Sequence, residues 1–571
     1  MADAKGAHVP IGNTDCNGCH AAFTSFAGMD MQPGSATIAV AAAASHCRPK
    51  SRVVGGDSAI TIMPNVQRNL PYDVRNDLVP VTKLGQSDFV LVANPKKGFK
   101  TVQDFVSYAK AHPGEPYASA GQGTAQHLGM EMIKMKAGVT FSSGNPVTAE
   151  AAAWSLQRAV KLNKTPAFIL NQFGWTAETV DSMISGAGDT LTIKVDKPYA
   201  PTFLYNCLTA GVASIVDAET VKTHEVVTDG VSDMGNEWLK TNSAGTGAYI
   251  LKSFKANEGY VLEARPGYWR GDAKIAKIFM QHVPEAATER LQLEKGDVDI
   301  ARSMTPTDVA GLEGNADVAI QSDVGGQVYY LSFNQKNENY KNAKFLDAMR
   351  WAIDYQGMAD TIMKGAVIPH QAFLPQGYLG ALDDLPYSLD IEKAKALLAE
   401  SGITDPKVTL SVRNSADRMD VAQSIQNTFG QAGITVELKT GEGAEQLKEY
   451  RARLHDATLQ TWGPDYPDPN TNSSTFAENP DNSDEAGNTG YLAWRNAYDP
   501  GEMTAESKAA VLEQDPAKRV EMYAALQQKH RQTSPFIVMF QQARQTGVRA
   551  NVKGFYTGGA VDAAAYWLAT K

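Results

Sequence analysis

Short apolar runs alternate with helix-like segments through the second half of this 571-residue chain. Four runs rich in β-branched and aromatic residues predict strands, at 328–333, 408–412, 434–439 and 455–462. Between them, apolar residues recur three or four positions apart, the spacing of one helix face: Leu346, Met349 and Ile353, then Val421, Ile425 and Phe429. Strand, helix and strand in succession need crossover connections, so this region predicts a largely parallel sheet covered by helices.

Helix caps and a returning strand predict a second lobe. Thr148 is placed to cap one helix and Asp390 to cap another. Residues 248–262 have the pattern of a hairpin, and the apolar run 535–540 would return the chain to the lobe that contains this hairpin. Two crossings between lobes form a hinge, so the cleft between the lobes is the expected ligand site.

The most informative motif is Gln-Thr-Trp-Gly-Pro-Asp-Tyr-Pro-Asp-Pro at residues 460–469. Its glycine and three prolines end a strand in a stiff turn, which holds the flanking side chains at fixed angles. The indole of Trp462 and the carboxylate of Asp465 then form an aromatic wall beside an acid, which suits a cationic or α-amino ligand. Asp465 could instead cap its own turn, and Tyr466 could line the cleft or pack in the core.

Composition narrows the function classes. Charged residues are 20% and hydrophobic residues 43%, and 53 Lys and Arg stand against 63 Asp and Glu, for a net charge of −10. This acidic balance argues against a nucleic-acid partner, which would need a basic face. The length predicts two or three domains, and no run approaches the roughly 20 apolar residues of a membrane span. Without a nucleophile elbow, a zinc-protease motif or a P-loop, we expect a binding protein and not an enzyme.

One motif near the start could carry a cofactor. Cys16-Asn-Gly-Cys-His20 has the spacing of c-type haem attachment, in which two thiols bind the vinyl groups and the histidine binds iron. The surrounding residues offer few apolar positions to bury a porphyrin. We therefore interpret Cys16, Cys19 and His20 as a chance motif and expect no cofactor and no metal. A haem-bearing electron-transfer fusion is kept as an alternative.

Six further motifs occur in the order shown by one family of transport receptors. They are Phe141-Ser-Ser-Gly-Asn-Pro-Val-Thr-Ala-Glu150, Ser243-Ala-Gly-Thr-Gly-Ala-Tyr249, Ala264-Arg-Pro-Gly-Tyr-Trp269, Leu291-Gln-Leu-Glu-Lys-Gly-Asp-Val-Asp-Ile300, Tyr330-Leu-Ser-Phe-Asn334 and Ala348-Met-Arg-Trp-Ala-Ile-Asp354. With residues 460–469, they resemble the family 5 extracellular solute-binding proteins of peptide and nickel ABC importers. The resemblance spans 139–571 and implies an α/β, two-lobed periplasmic binding protein (type II, cluster C-like) with a hinge and an interlobe cleft. The sequence departs from the family at Ser143, where an aspartate is usual.

The resemblance implies capture and delivery of a solute. A family member closes two lobes on a small peptide or peptide-like ligand in the periplasm and presents it to an ABC permease, usually as a monomer. Carried over to this chain, Asp465 would accept hydrogen bonds from the ligand's α-ammonium, and Trp462 would form a pocket wall. Asn334 is expected at a strand end facing the cleft, and Arg413 and Arg418 are candidates to bind a ligand carboxylate. For Arg418, a solvent-exposed position at the start of a helix is the favoured alternative.

Residues 53–138 resemble a different receptor type, the tricarboxylate-binding (Bug-type) receptors of tripartite transporters. Ser119, Gly121 and Thr124 lie in a Ser/Gly loop between a predicted strand and helix, where backbone N–H groups would converge on a carboxylate. The fragment is incomplete, so we interpret it as an appendage without an intact acid site. An organic-acid receptor working through this loop is the alternative function.

These patterns predict five segments along the chain. They are an irregular leader with the haem-like motif at 1–52, the Bug-like fragment at 53–138, lobe I at 139–321, lobe II at 322–533 and a return to lobe I at 534–571.

Overall fold

The structure is a computed structural model that describes residues 38–43, 52–56, 78–85, 108, 138–188, 190–556 and 566–571. The chain divides into two units, Met1–Val139 and Thr140–Lys571. In the first unit, three antiparallel strands form a sheet in the order β2-β1-β3: β1 (Ile38–Ala43), β2 (Arg52–Gly56) and β3 (Leu78–Gly85). The expectation of an irregular leader at 1–52 is therefore wrong at β1, which pairs with a strand on each side.

The second unit begins with a helical module, defined here as residues 149–213. Its elements are α1 (Ala149–Leu162), α2 (Phe168–Asn171), α3 (Val180–Met183), β4 (Ile184–Ala187), β5 (Thr190–Ile193) and α4 (Pro201–Leu208). The predicted cap of α1 is confirmed, since the Thr148 hydroxyl accepts a hydrogen bond from the Ala151 N–H. The module has its own apolar core, in which Phe173, Trp175 and Phe203 are almost fully buried.

A mixed segment follows the module. It contains α5 (Ala218–Lys222), β6 (Val227–Thr228), β7 (Val231–Ser232), α6 (Asn236–Leu239), β8 (Tyr249–Lys255), β9 (Gly259–Ala264), β10 (Lys277–Gln281), α7 (Ala286–Lys295), β11 (Ile300–Ala301) and α8 (Pro306–Ala310). Antiparallel β8 and β9 confirm the predicted hairpin. Buried Asp217 accepts hydrogen bonds from the side chains of Ser143 and Asn145. Ser143, which departs from the family, thus supplies a donor where an aspartate would add a second carboxylate.

The main sheet has the order β11-β17-β12-β16-β14-β15, with β13 also paired to β17. Its remaining strands are β12 (Val318–Phe333), β13 (Val367–Pro369), β14 (Lys407–Arg413), β15 (Thr435–Gly441), β16 (Ala457–Trp462) and β17 (Phe536–Arg549). Only β14 has parallel partners, β15 and β16, and every other pair is antiparallel. The expectation of a largely parallel sheet is wrong because β12 and β17 run against their neighbours.

Helices cover this sheet and confirm most of the predicted periodicity. They are α9 (Ala343–Trp351), α10 (Tyr355–Thr361), α11 (Ile391–Ser401), α12 (Ala416–Gln431), α13 (Gly443–Arg451), α14 (Pro469–Ala477), α15 (Leu492–Arg495), α16 (Met503–Ala510) and α17 (Pro516–Thr533). The Asp390 side chain caps α11 through the Lys393 N–H, as predicted. Within the described part of the chain, no helix is long and apolar enough to cross a membrane.

Two long antiparallel strands, β12 and β17, run through two different cores. At one end, Val318 and Val548 pack with small clusters that also contain residues of α7 and β11. At the other end, Leu331 and Ile537 belong to the large core beneath α9–α12. The pairing is interrupted between Val324 and Val328, where three residues of β12 stand opposite one of β17. This bulge, residues 325–327, marks the passage between the two cores.

Candidate functional site

The predicted site lies where the parallel strands of the main sheet end. Strand β14 pairs with β16 in parallel, so the carboxyl ends of both strands meet at one edge of the sheet. Arg413 is the last residue of β14, Trp462 is the last residue of β16, and Arg418 lies in the first turn of α12. The Arg418 Nη2 donates to the Thr461 hydroxyl at 3.3 Å. The structure therefore brings these side chains to the edge at which α/β sheets commonly bind ligands.

This edge adjoins the bulge between the two cores. Trp462 pairs with Val328, the first β12 residue beyond the bulge. Gly326, within the bulge, approaches the turn closely, because a Cβ at this position would lie 3.0 Å from the Cδ of Pro464. A side chain there would require this turn to move. The glycine therefore permits the turn at residues 463–468, the candidate binding turn, to lie directly against strand β12.

Asp465 occupies an exposed position of that turn, between buried Pro464 and Tyr466. Its backbone N–H donates to the Thr471 hydroxyl at 3.1 Å, but its carboxylate makes no hydrogen bond or ion pair with a described residue. Surrounding protein atoms displace water and raise the pKa of the Asp465 carboxyl above its ordinary value. The Asp465 carboxylate is therefore reached by solvent and is also partly desolvated by its neighbours.

Donors without acceptors surround the same edge. The indole Nε1 of Trp462, the Nε of Arg413 and one Nη of Arg418 are buried, and none has a hydrogen-bond partner among the described residues. The Arg418 guanidinium lies over the ring of Tyr329, 5.4 Å from its centre. Buried donors normally find acceptors, so these three donors are candidates to bind acceptor atoms of a ligand.

Asp468, three residues beyond Asp465, has a different role. Its fully buried carboxylate accepts two hydrogen bonds from Arg519, at 2.7 and 3.0 Å, and one from the Asn470 N–H. The remaining guanidinium donors of Arg519 bond Thr202, Ala510 and Tyr523, so all five N–H groups are satisfied. Asp468 caps α14 and joins the turn to the helical module, whereas the Asp465 carboxylate makes no bond to a described residue.

Comparisons with known proteins identify the family of the chain. The profile of the bacterial extracellular solute-binding proteins, family 5 Middle, matches residues 132–484. The chain belongs to this family. Family 5 consists of substrate-binding proteins of transporters, so the function of this chain is to bind a solute. The profile of the tripartite tricarboxylate transporter family receptor also matches, at residues 29–159, which confirms the second resemblance found in the sequence.

Several relatives match over most of their length. The probable D,D-dipeptide-binding periplasmic protein DdpA of Escherichia coli is 28% identical over 74% of this chain and 78% of its own length. The dipeptide-binding protein of Escherichia coli is 26% identical over 64% of this chain and 67% of its own. Among solved structures, the MppA periplasmic murein tripeptide-binding protein superposes with a TM-score of 0.61 at 20% identity, over 76% of this chain and 84% of its own. This last likeness confirms the two-lobed α/β fold.

Two of the predicted site residues, Asn334 and Tyr466, lie outside the candidate site. Asn334 follows the far end of β12, opposite Ala457 and not Trp462, and its amide donates to the carbonyls of Arg453 and His455. Asn334 is 3% exposed, and its side-chain amide is used within the protein to hold the loop that follows the strand. Tyr466 is also buried; it packs within the core of the helical module, so core packing, and not cleft lining, is its role.

Other predicted residues cannot be placed. Cys16, Cys19 and His20 of the haem-like motif, and Ser119, Gly121 and Thr124 of the carboxylate loop, lie outside the described residues. Both the haem alternative and the organic-acid alternative therefore stay predictions.

Sequence reasoning missed one part of the site, the bulge with its two adjacent glycines, Gly325 and Gly326. The available signal was a Gly-Gly pair inside a long apolar and β-branched run, which marks a bulge or a close backbone approach.

Proposed function

We propose that this chain is a periplasmic receptor of an ABC importer, which captures a small peptide or peptide-like solute between two lobes and delivers it to a permease. One observation carries this proposal: an unpartnered carboxylate lies at the same edge as three unpartnered buried donors. A free peptide presents the opposite set, with an ammonium at one end and a carboxylate and carbonyl groups at the other. The relatives named as binding dipeptides and a tripeptide support a ligand of this size.

Asp465 is the residue to bind the ligand's ammonium. Its carboxylate is already partly desolvated in the unliganded protein, and an ammonium placed beside it would restore the lost stabilisation of its charge. Trp462 would contact the adjacent part of the ligand with its ring and donate its indole N–H to a carbonyl. A buried cation without such a partner would be strongly disfavoured, so this pairing selects ligands with a free amino group.

Arg413 and Arg418 are the residues to bind acceptor atoms of the ligand. Each retains a buried N–H without a partner, in contrast to Arg519, whose donors are all used inside the protein. Guanidinium groups bind carboxylates with paired hydrogen bonds, so a free peptide carboxylate fits this end of the site.

The bulge in β12 supplies the motion that capture needs. It lies where two strands pass from one core to the other, and bending there changes the angle between the parts on either side. Closure would exclude water from the edge, which strengthens the charge pairs formed with the ligand.

The test is calorimetric titration of the full chain with Ala-Ala, Ala-Phe, D-Ala-D-Ala and Ala-Ala-Ala, each also in N-acetylated and C-amidated form. We expect saturable binding of at least one free peptide. Asp465→Asn should weaken it by roughly 30-fold or more, since truncating one partner of a buried charge pair costs about 2 kcal/mol or more. Asp420→Asn, at an exposed acid on α12, is the matched control and should bind as wild type does.

Modified peptides locate each loss. N-acetylation should abolish most of the difference between wild type and Asp465→Asn, and C-amidation should do the same for Arg413→Lys and Arg418→Lys. Affinity should also fall as the pH decreases through the raised pKa of Asp465, because only the ionised acid attracts the ammonium. If wild type binds none of the peptides, or if Asp465→Asn binds them as tightly, the proposal is wrong.

A further inference from the structure

A buried glutamine ties the bulge to a loop beside the binding turn. Gln541, on β17, is 1% exposed, and its amide Nε2 donates to the carbonyl of Gly325 at 2.8 Å. Its Oε1 accepts from the backbone N–H of Gln376, also at 2.8 Å. A single side chain therefore links the two crossing strands at the bulge to the loop that follows β13. Breaking it would leave a buried carbonyl and a backbone N–H without partners.

That loop carries Tyr378 to the binding turn. The Tyr378 hydroxyl lies 3.6 Å from the position that a Cβ of Gly326 would occupy, and the Cδ of Pro464 lies 3.0 Å from the same position. The hydroxyl and the proline are thus no more than about 6.6 Å apart, the sum of these two distances. Tyr378 and Trp462 also pack against the same apolar cluster. The tyrosine is therefore a neighbour of the turn that presents Asp465.

The Tyr378 hydroxyl is available for an external partner. It makes no hydrogen bond to a described residue and is not fully buried, and the tyrosine as a whole is half-buried. Burial, with a smaller contribution from the charge of Asp468, raises the pKa of Tyr378 to about 12. The phenol is thus neutral at physiological pH and can donate to a carbonyl or accept from an ammonium.

We propose that Tyr378 is a further ligand-contacting residue of the cleft, and that Gln541 positions it by tying its loop to the bulge. The contact rests on the proposed function, because it assumes a peptide-like ligand beside Asp465. The chemistry of a neutral phenol indicates that its partner is a carbonyl or an amino group of the peptide. Because the same glutamine holds the bulge, bending of the strands and placement of the hydroxyl are coupled.

The test combines two substitutions in the full chain, titrated with the peptide of the above panel that binds wild type most tightly. Tyr378→Phe removes only the hydroxyl and should weaken binding by between about threefold and about tenfold, the effect of one neutral hydrogen bond. Its unfolding midpoint in urea should stay that of wild type. Tyr340→Phe is the matched control, since that hydroxyl donates to Asp456 inside the large core and should affect stability but not affinity.

Gln541→Met tests the positioning role. It should increase amide hydrogen exchange at residues 376–380 in the absence of peptide, and it should weaken peptide binding. In this background, Tyr378→Phe should have no further effect on affinity, because the hydroxyl is no longer held in place. A merely structural Gln541 would leave the two effects additive.

The possible failures are distinguishable. If wild type binds no peptide of the panel, the proposed function fails and the Tyr378 contact fails with it. If wild type binds but Tyr378→Phe binds equally well, the contact alone is wrong. Unchanged exchange at 376–380 in Gln541→Met would overturn the positioning role whether or not a peptide binds. Where a peptide binds, additive losses of affinity would overturn it as well.

Discussion

The buried pair of Asp468 and Arg519 should dominate the stability of the binding turn. Asp468→Asn removes one charge and leaves a guanidinium whose side chain is 2% exposed facing a neutral amide. Two of the five Arg519 donors lose their charged acceptor, and the amide NH₂ can oppose one of them. Removing one partner of a buried ion pair costs about 3–5 kcal/mol, chiefly because the other charge stays buried. We expect Asp468→Asn to lower the free energy of unfolding by this amount.

A double-mutant cycle measures the pair itself. Arg519→Met should cost a similar amount, since it strands the Asp468 carboxylate, which keeps only the Asn470 N–H and a long contact from Asn206 at 3.4 Å. The variant with both substitutions buries no charge at all. Its decrease in the free energy of unfolding should therefore be smaller than the sum of the two single-variant decreases by about 2 kcal/mol or more.

Urea unfolding followed by tryptophan fluorescence is the assay, with the midpoint compared at constant slope. Asp465→Asn is the matched control in the same turn, and we expect it to leave the midpoint unchanged or raise it slightly, because it removes a carboxylate that is poorly solvated and unpaired. If Asp468→Asn lowers the free energy of unfolding by less than about 1 kcal/mol, or if the effects in the cycle are strictly additive, the conclusion that this ion pair stabilises the turn is refuted.

Two further predictions concern the bulge and the buried histidines. Gly326→Ala places a Cβ against Pro464 and should weaken peptide binding. Gly430→Ala, at an open position of α12, is the control: it should leave the affinity unchanged and raise the free energy of unfolding by up to about 1 kcal/mol. If the two variants bind the peptide with equal affinity, the role of the bulge is contradicted. Burial lowers the pKa of His455 to about 4 and of His530 to about 3. The unfolded chain, with a histidine pKa near 6.5, binds these protons first, so stability should fall as the pH drops below about 6.5, by roughly 1.4 kcal/mol per pH unit for each histidine. His530→Gln should reduce the slope of urea-unfolding stability between pH 6.5 and 4.5, and an unchanged slope would show that this histidine is not buried neutral.

Local features of the fold were predictable because local interactions determine them. The caps at Thr148 and Asp390 depend on a side chain and a backbone N–H three residues on, and both are formed as predicted. Strand direction was not predictable in this way. The long strands β12 and β17 pair with each other across more than two hundred residues, and this pairing makes most of the main sheet antiparallel.

The candidate site was predictable only in part, for a similar reason. Trp462, Arg413 and Arg418 reach one edge because β14 and β16 are parallel, which follows from a strand–helix–strand pattern. Asn334 looked equally suitable, at the end of a buried strand beside a polar loop. Its strand, however, runs antiparallel to β16, so the end of β12 lies at the opposite edge from Trp462. Strand direction, and not residue type, decided which side chains joined the site.

The two carboxylates of the motif show why residue type alone does not assign a binding acid. Asp465 and Asp468 belong to one turn and lie three residues apart, and each is followed within two residues by a proline. What distinguishes them is Arg519, which lies 51 residues beyond Asp468 and reaches only that carboxylate. Arg519 also donates a hydrogen bond to Thr202 of the helical module. The Asp468 carboxylate, which this arginine neutralises, is therefore the one that helps to hold the fold together. The acid that tertiary packing leaves unpaired is therefore the candidate to bind an ammonium, and its partial desolvation without a partner is a cost to the folded protein.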